Sequence, residues 1–115
     1  MTAETGKQVV RQPVAEAFST IDREHLARQT MGDEALMCEV LRLFAAQIRD
    51  IQAALRSHNA RSRQRLGHTL KGAARGVGAF ELASLAEELE TAPDDDAVVE
   101  RLSHAIDAVS LEVGR

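Results

Sequence analysis

Apolar residues recur along this chain at helical spacing. Leu36, Val40, Leu43, Phe44, Ile48, Ile51 and Leu55 follow the i, i+3, i+4, i+7 pattern and predict a helix of about six turns. Ser57-His58-Asn59 breaks it. Leu66, Leu70, Ala73 and Val77 predict a second helix, with Gly76 and Gly78 marking its end. Leu82, Leu85, Ala86 and Leu89 predict a third. Thr91-Ala92-Pro93 reads as a turn, with Pro93 near the first position of the next helix and Asp94, Asp95 and Asp96 in its first turn. That last helix carries Val98, Leu102, Ala105, Ile106, Val109 and Val113. Upstream, Asp22 is the expected N-cap of a short helix over about 23–30, and Asp33, after the interruption at Gly32, caps the long one. Residues 1–20 lack this period and contain Gly6 and Pro13. They read as a flexible tail with at most a helical turn near Val14–Phe18.

Four amphipathic helices on short links can bury their stripes only against one another, and short links favour antiparallel neighbours. The expected fold is all-α: an antiparallel up-down four-helix bundle over residues 21–115, with the short N-terminal helix covering one end.

Composition agrees. Of 115 residues 44% are hydrophobic, yet there is no Trp, no Tyr and only three Phe, so Ala and Leu, both strong helix formers, must build most of the core. The single Cys38 excludes an internal disulfide and a Cys-based zinc site. No apolar run approaches the ~20 residues of a membrane span, and the N-terminus lacks the apolar segment of a secretory signal. A cytoplasmic protein is expected. A net charge of −4 excludes a globally basic nucleic-acid binder.

One position resists a structural reading. With Leu66 at zero, Leu70, Ala73 and Val77 fall within about 40° of it, while His68 lies at roughly 200°. The core stripe is full without His68, so its imidazole should face solvent. Arg61, Gln64, Lys71, Gly72 and Arg75 share its side of the helix. A glycine on an exposed helix face costs about 1 kcal/mol relative to Ala. Gly72, one turn beyond His68, gains nothing structural in return, but it uncovers the ring, and Gly67 beside His68 reads the same way. Six cations and no acid lie between Arg56 and Arg75, and the balance reverses from Glu81 to Glu100. A basic surface around an exposed imidazole suits an anion or an acidic partner. The plainer alternative is a solvated face whose charges pair with the acidic third and fourth helices.

The run from His68 through Leu70, Lys71, Gly72, Ala73 and Ala74 to Gly78 resembles the signature of histidine phosphotransfer (HPt) domains. In that family the pattern is His, any residue, Leu or Met, Lys, Gly, two small residues, then Gly at the tenth position after His. Leu82, Leu85 and Glu90 resemble the family's next helix, and Gly32-Asp33-Glu34 leading to Phe44 its entry into the long one. The resemblance covers about residues 20–112. It implies a phosphocarrier that accepts a phosphoryl group on His68 from a receiver-domain aspartate and relays it to another receiver. The implied partners are response-regulator receivers and a sensor kinase, which can be a hybrid one.

His68 would supply the attacking nitrogen, which in the family is Nε2. Lys71 would offset charge on the phosphoryl oxygens, and Gly72 would keep the approach clear. Gln64, one turn before, could hydrogen-bond the phosphoryl group or the ring. Arg75 would steer an acidic partner, and Gly78 is grouped with Gln64, Arg75 and Phe80 at the partner-binding face. Ala79 and Phe80 are candidates for an apolar rim, with a core plug as the favoured reading of Phe80. No intrinsic cofactor or metal site is expected; Mg²⁺ would come with the partner receiver. An autonomous kinase is disfavoured by the lack of a Gly-rich phosphate loop. The main alternative is a helical interaction module that is never phosphorylated, such as a kinase inhibitor. Nucleic-acid binding through Arg61, Arg63 and Arg65 is disfavoured by their spread around the helix and the lack of aromatics for stacking. A monomer is expected, since one chain completes the bundle.

Overall fold

A computed structural model describes residues 20–114, and the tail expected over residues 1–20 lies, but for Thr20, outside them. The described residues form five helices and no strand: α1 (Arg23–Gln29), α2 (Glu34–Ala54), α3 (Ala60–Val77), α4 (Phe80–Thr91) and α5 (Asp96–Val113). Four start on a side-chain cap, and two of these, Asp22 and Asp33, are the predicted ones. The carboxylates of Asp22, Asp33 and Asp95 and the side-chain oxygen of Asn59 accept from the backbone N–H groups of His25, Leu36, Ala97 and Ser62, satisfying donors left open in a first helical turn. The start of α5 differs from expectation. Asp95 is the cap, so Pro93 and Asp94 stay in the turn and Asp96 is the acid of the first helical turn.

Helices α2 to α5 pack each on the next, and α5 closes back on α2. This is the antiparallel four-helix bundle, with α1 laid over the end of α2 and α3. The core is aliphatic apart from Phe44: this ring with Ile48, Ile51 and Leu55 of α2 and its C-cap meets Leu70 and Val77, Leu82 and Leu89, and Leu102 and Ile106. The buried face of α2 is rotated from the sequence stripe. Leu41 is buried, while Leu36 and Leu43 are 45% and 55% exposed. Only the side between the two neighbouring helices can be covered, and a broad apolar stripe overruns it on one edge.

Polar groups lock the corners. Arg49 pairs with Asp107 at 2.8 Å, and Gln52 donates to the Ser103 carbonyl, tying α2 to α5. At the start of α1, the Asp22 N–H donates to the Gly78 carbonyl at 2.8 Å, and a Cβ at Gly78 would sit 2.7 Å from the Asp22 carbonyl. Gly78 closes α3 at φ +87°, in the left-handed region that glycine adopts without strain.

Arg63 belongs to this framework and not to the basic surface assigned to it from the sequence. Its side chain is only 4% exposed. It donates to the carbonyls of Leu55 and Pro93 and to Asp96, joining the α2–α3 and α4–α5 corners. A buried guanidinium is tolerated only when its donors are used in this way. Replacing it strands two carbonyls. Arg63→Ala is expected to lower the unfolding free energy by about 3 kcal/mol, read from urea denaturation; a change under about 0.5 kcal/mol would contradict this role.

Candidate functional site

Helix α3 packs on α4 through small residues. Gly67 is buried, and a Cβ there would lie 2.8 Å from the Ala86 carbonyl and 3.1 Å from the Glu90 nitrogen. Its role is therefore close helix approach, which corrects the reading that it uncovers His68. Ala83, Ala86 and Glu90 follow one line of α4 at i, i+3 and i+7. The first two present no more than a methyl group to α3. The third reaches the edge of the contact as a carboxylate.

That carboxylate meets His68. The imidazole stands outward, with its side chain 72% exposed, and Nδ1 lies 2.8 Å from Glu90 Oε2. An ionised carboxylate only accepts, so Nδ1 carries the proton and donates it. The neutral ring then keeps its lone pair on Nε2, on the solvent side. The other oxygen of Glu90, Oε1, is buried and lies 2.8 Å from Lys71 Nζ. Glu90 thus bridges two residues one turn apart on α3. Hydrogen bonds from Lys71 and then His68 hold its carboxyl below the usual glutamate range, against partial burial that acts to raise it.

The remaining predicted residues distribute unevenly. Gly72 is exposed, and a Cβ there would meet nothing within 4 Å, so the ground beside His68 is open. Gln64 is exposed one turn before His68, with no side-chain hydrogen bond among the described residues. Lys71 is not free: its side chain is only 19% exposed and is committed to Glu90. Arg75 pairs with Glu87 at 3.6 Å. Gly78 and Ala79 are buried, which removes both from any partner-binding face; the Gly78 carbonyl accepts from the Asp22 N–H, and the Ala79 N–H donates to the Ala74 carbonyl. Phe80 is 44% exposed, so it is a rim residue and not a core plug, with its ring 5.1 Å from that of His25 in an edge-on contact.

Glu90 is the site residue to which sequence reasoning gave no role, naming it only with Leu82 and Leu85 in the helix that resembles the family's next one. Helical period cannot say which of several glutamates on α4 falls opposite which residue of α3.

Two outcomes follow from this geometry. Gly67→Ala should push α4 away, lowering stability by about 1–3 kcal/mol and weakening the Nδ1–H···Glu90 bond, visible as a mixture of His68 tautomers by ¹⁵N NMR. A carboxyl titration followed by ¹³C NMR should place the Glu90 midpoint below that of an ordinary glutamate, and Lys71→Met should move it up. Because the folded-state pKa is depressed, the stability this bridge adds is present above the ordinary glutamate pKa and is lost as pH falls through the depressed value.

A family model described as "Hpt domain" matches residues 35–112. Among solved structures, the histidine phosphotransferase ShpA from Caulobacter crescentus is similar, with a TM-score of 0.69 and 33% sequence identity over 84% of this chain and 88% of that one. No curated protein sequence matches. With the match spanning α2 to α5 and the outward His68 in its middle, this chain belongs to the Hpt domain family.

Proposed function

We propose that the protein is a phosphocarrier in a two-component phosphorelay, taking a phosphoryl group on His68 Nε2 from a receiver-domain aspartate and passing it to another receiver. The observation that carries this reading is the Glu90–His68 hydrogen bond, which leaves an exposed Nε2 with its lone pair directed at solvent. In the transfer, Nε2 attacks phosphorus, the bond from phosphorus to the aspartyl oxygen breaks, and the partner's carboxylate leaves with the electron pair. No proton needs to move. The ring becomes cationic as the N–P bond forms, and that charge sits on the Nδ1–H already bonded to the Glu90 carboxylate. Reversal is equally direct, as a relay requires.

Phosphoryl transfer depends on positioning and charge stabilisation more than on further chemistry by the protein. The Lys71 ammonium, held 2.8 Å from Glu90 Oε1, would offset charge on the phosphoryl oxygens, and Gln64 offers a second polar group from the turn before. Gly72 leaves room for the partner. Mg²⁺ would be held by the receiver's carboxylates, since Glu90, the carboxylate beside His68, is engaged by His68 and Lys71. The partners are receiver domains and the sensor kinase that feeds them, in the cytoplasm, with the carrier acting as a monomer. No helix among the described residues is long and apolar enough to cross a membrane. The non-phosphorylated interaction module is disfavoured because such a surface has no use for an oriented imidazole.

Incubation with ATP alone should leave the protein unlabelled. A receiver charged with acetyl phosphate should label it with acid-labile, base-stable phosphate. His68→Gln should abolish that label; equal labelling of this variant would overturn the proposal. Gly72→Leu should keep or raise stability, by about 0.5–1 kcal/mol, while slowing transfer by about tenfold or more.

A further inference from the structure

The basic run of α3 is not one surface. Arg63 is buried against carbonyls and Asp96, Lys71 is paired with Glu90, and Arg75 with Glu87. Arg61 and Arg65 remain: both are exposed, and neither has an ion-pair or hydrogen-bond partner among the described residues. They stand four residues apart on the helix, and Arg65 precedes His68 by three and Arg61 by seven. At about 100° and 1.5 Å per residue, both lie within about 60° of the His68 direction, one and two turns toward the N-terminus. The uncompensated positive charge therefore flanks His68 on one side only. On the other side the cations are neutralised by α4.

We propose that Arg61 and Arg65 form a cationic docking strip that binds an acidic surface of the phosphoryl-exchanging protein and sets its orientation over His68. The inference rests on the phosphocarrier reading and deepens it. For Nε2 to reach phosphorus at about 3 Å, the partner's surface must cover the neighbouring turns of α3. A protein whose acidic groups surround its reacting aspartate gains attraction over Arg61 and Arg65, and meets a compensated surface toward Arg75. The strip moves the steering role from Arg75, where the sequence reading put it, to the N-terminal flank. Long arginine side chains that are unpaired in the free protein can also engage carboxylates bidentately without first breaking an internal pair.

The test compares Arg61→Glu and Arg65→Glu with Arg42→Glu, which makes the same change in charge on α2, where Arg42 pairs with Glu39. The donors are receiver domains charged with acetyl phosphate and Mg²⁺. In parallel, each variant is loaded with phosphoramidate, a small donor that needs no docking. Expected are a loss of about tenfold or more in receiver-dependent rate at low ionic strength for Arg65→Glu and Arg61→Glu, and a flattened salt dependence. Arg42→Glu should stay near wild type, and all three should load with phosphoramidate normally. Wild-type receiver rates in the Arg61 and Arg65 variants would overturn the strip. So would an equal loss in Arg42→Glu, which would make net charge the cause, or a matching loss of phosphoramidate loading, which would place these arginines in the reactivity of His68 itself. Failure of the wild-type protein to accept phosphate from any donor would instead refute the phosphocarrier reading.

Discussion

The close approach of α3 and α4 at Gly67 is the constraint on which the site depends. Any side chain at that position would run into the Ala86 carbonyl and the Glu90 backbone. With only hydrogen there, the two helices lie near enough for a glutamate on one to hydrogen-bond a histidine on the other. Ala74, seven residues beyond Gly67 on α3, and Ala83 and Ala86 of α4 are all buried. A surface of small residues contributes less hydrophobic stabilisation than one of leucines. It supplies instead a fixed short distance between two backbones.

That distance turns an exposed histidine into an oriented one. A solvent-facing imidazole would exchange between tautomers and rotate about its side-chain bonds. The Glu90 carboxylate, anchored at its other oxygen by Lys71, selects one tautomer and restrains the ring. The carboxylate stays ionised because two donors favour its charged form. His68, Glu90 and Lys71 therefore act as a unit whose members come from two helices. Its polar partners are aimed inward and its nucleophile outward.

The rest of the bundle holds α3 at both ends. Arg63 ties its first turns to both neighbouring corners, and Gly78 ends it against Asp22 in front of α1. These contacts use groups that a surface reading would assign to partners: a cation in a basic run and a glycine in a signature. With Arg63 buried, and Lys71 and Arg75 paired, the charge around His68 becomes lopsided. The accessible cations are the two arginines on its N-terminal side.

Sequence alone determined the helices, their order and the outward direction of His68, because apolar spacing and capping residues act within a single helix. It also marked Gly72 as an unfilled position on an exposed face, and the open space there agrees. Tertiary structure decided everything that lies between helices. The period of α3 puts Arg63 nearer the core stripe than Arg61 or Arg65, but it does not tell that Gly67 faces a backbone, that Glu90 is the glutamate opposite His68, or that Arg63 is buried against the Leu55 and Pro93 carbonyls and Asp96. Nor does the stripe of α2 tell that Leu41 is covered and Leu43 is not. Each depends on the rotation and register of one helix against another, and those are set by packing of the whole bundle among residues far apart in the chain.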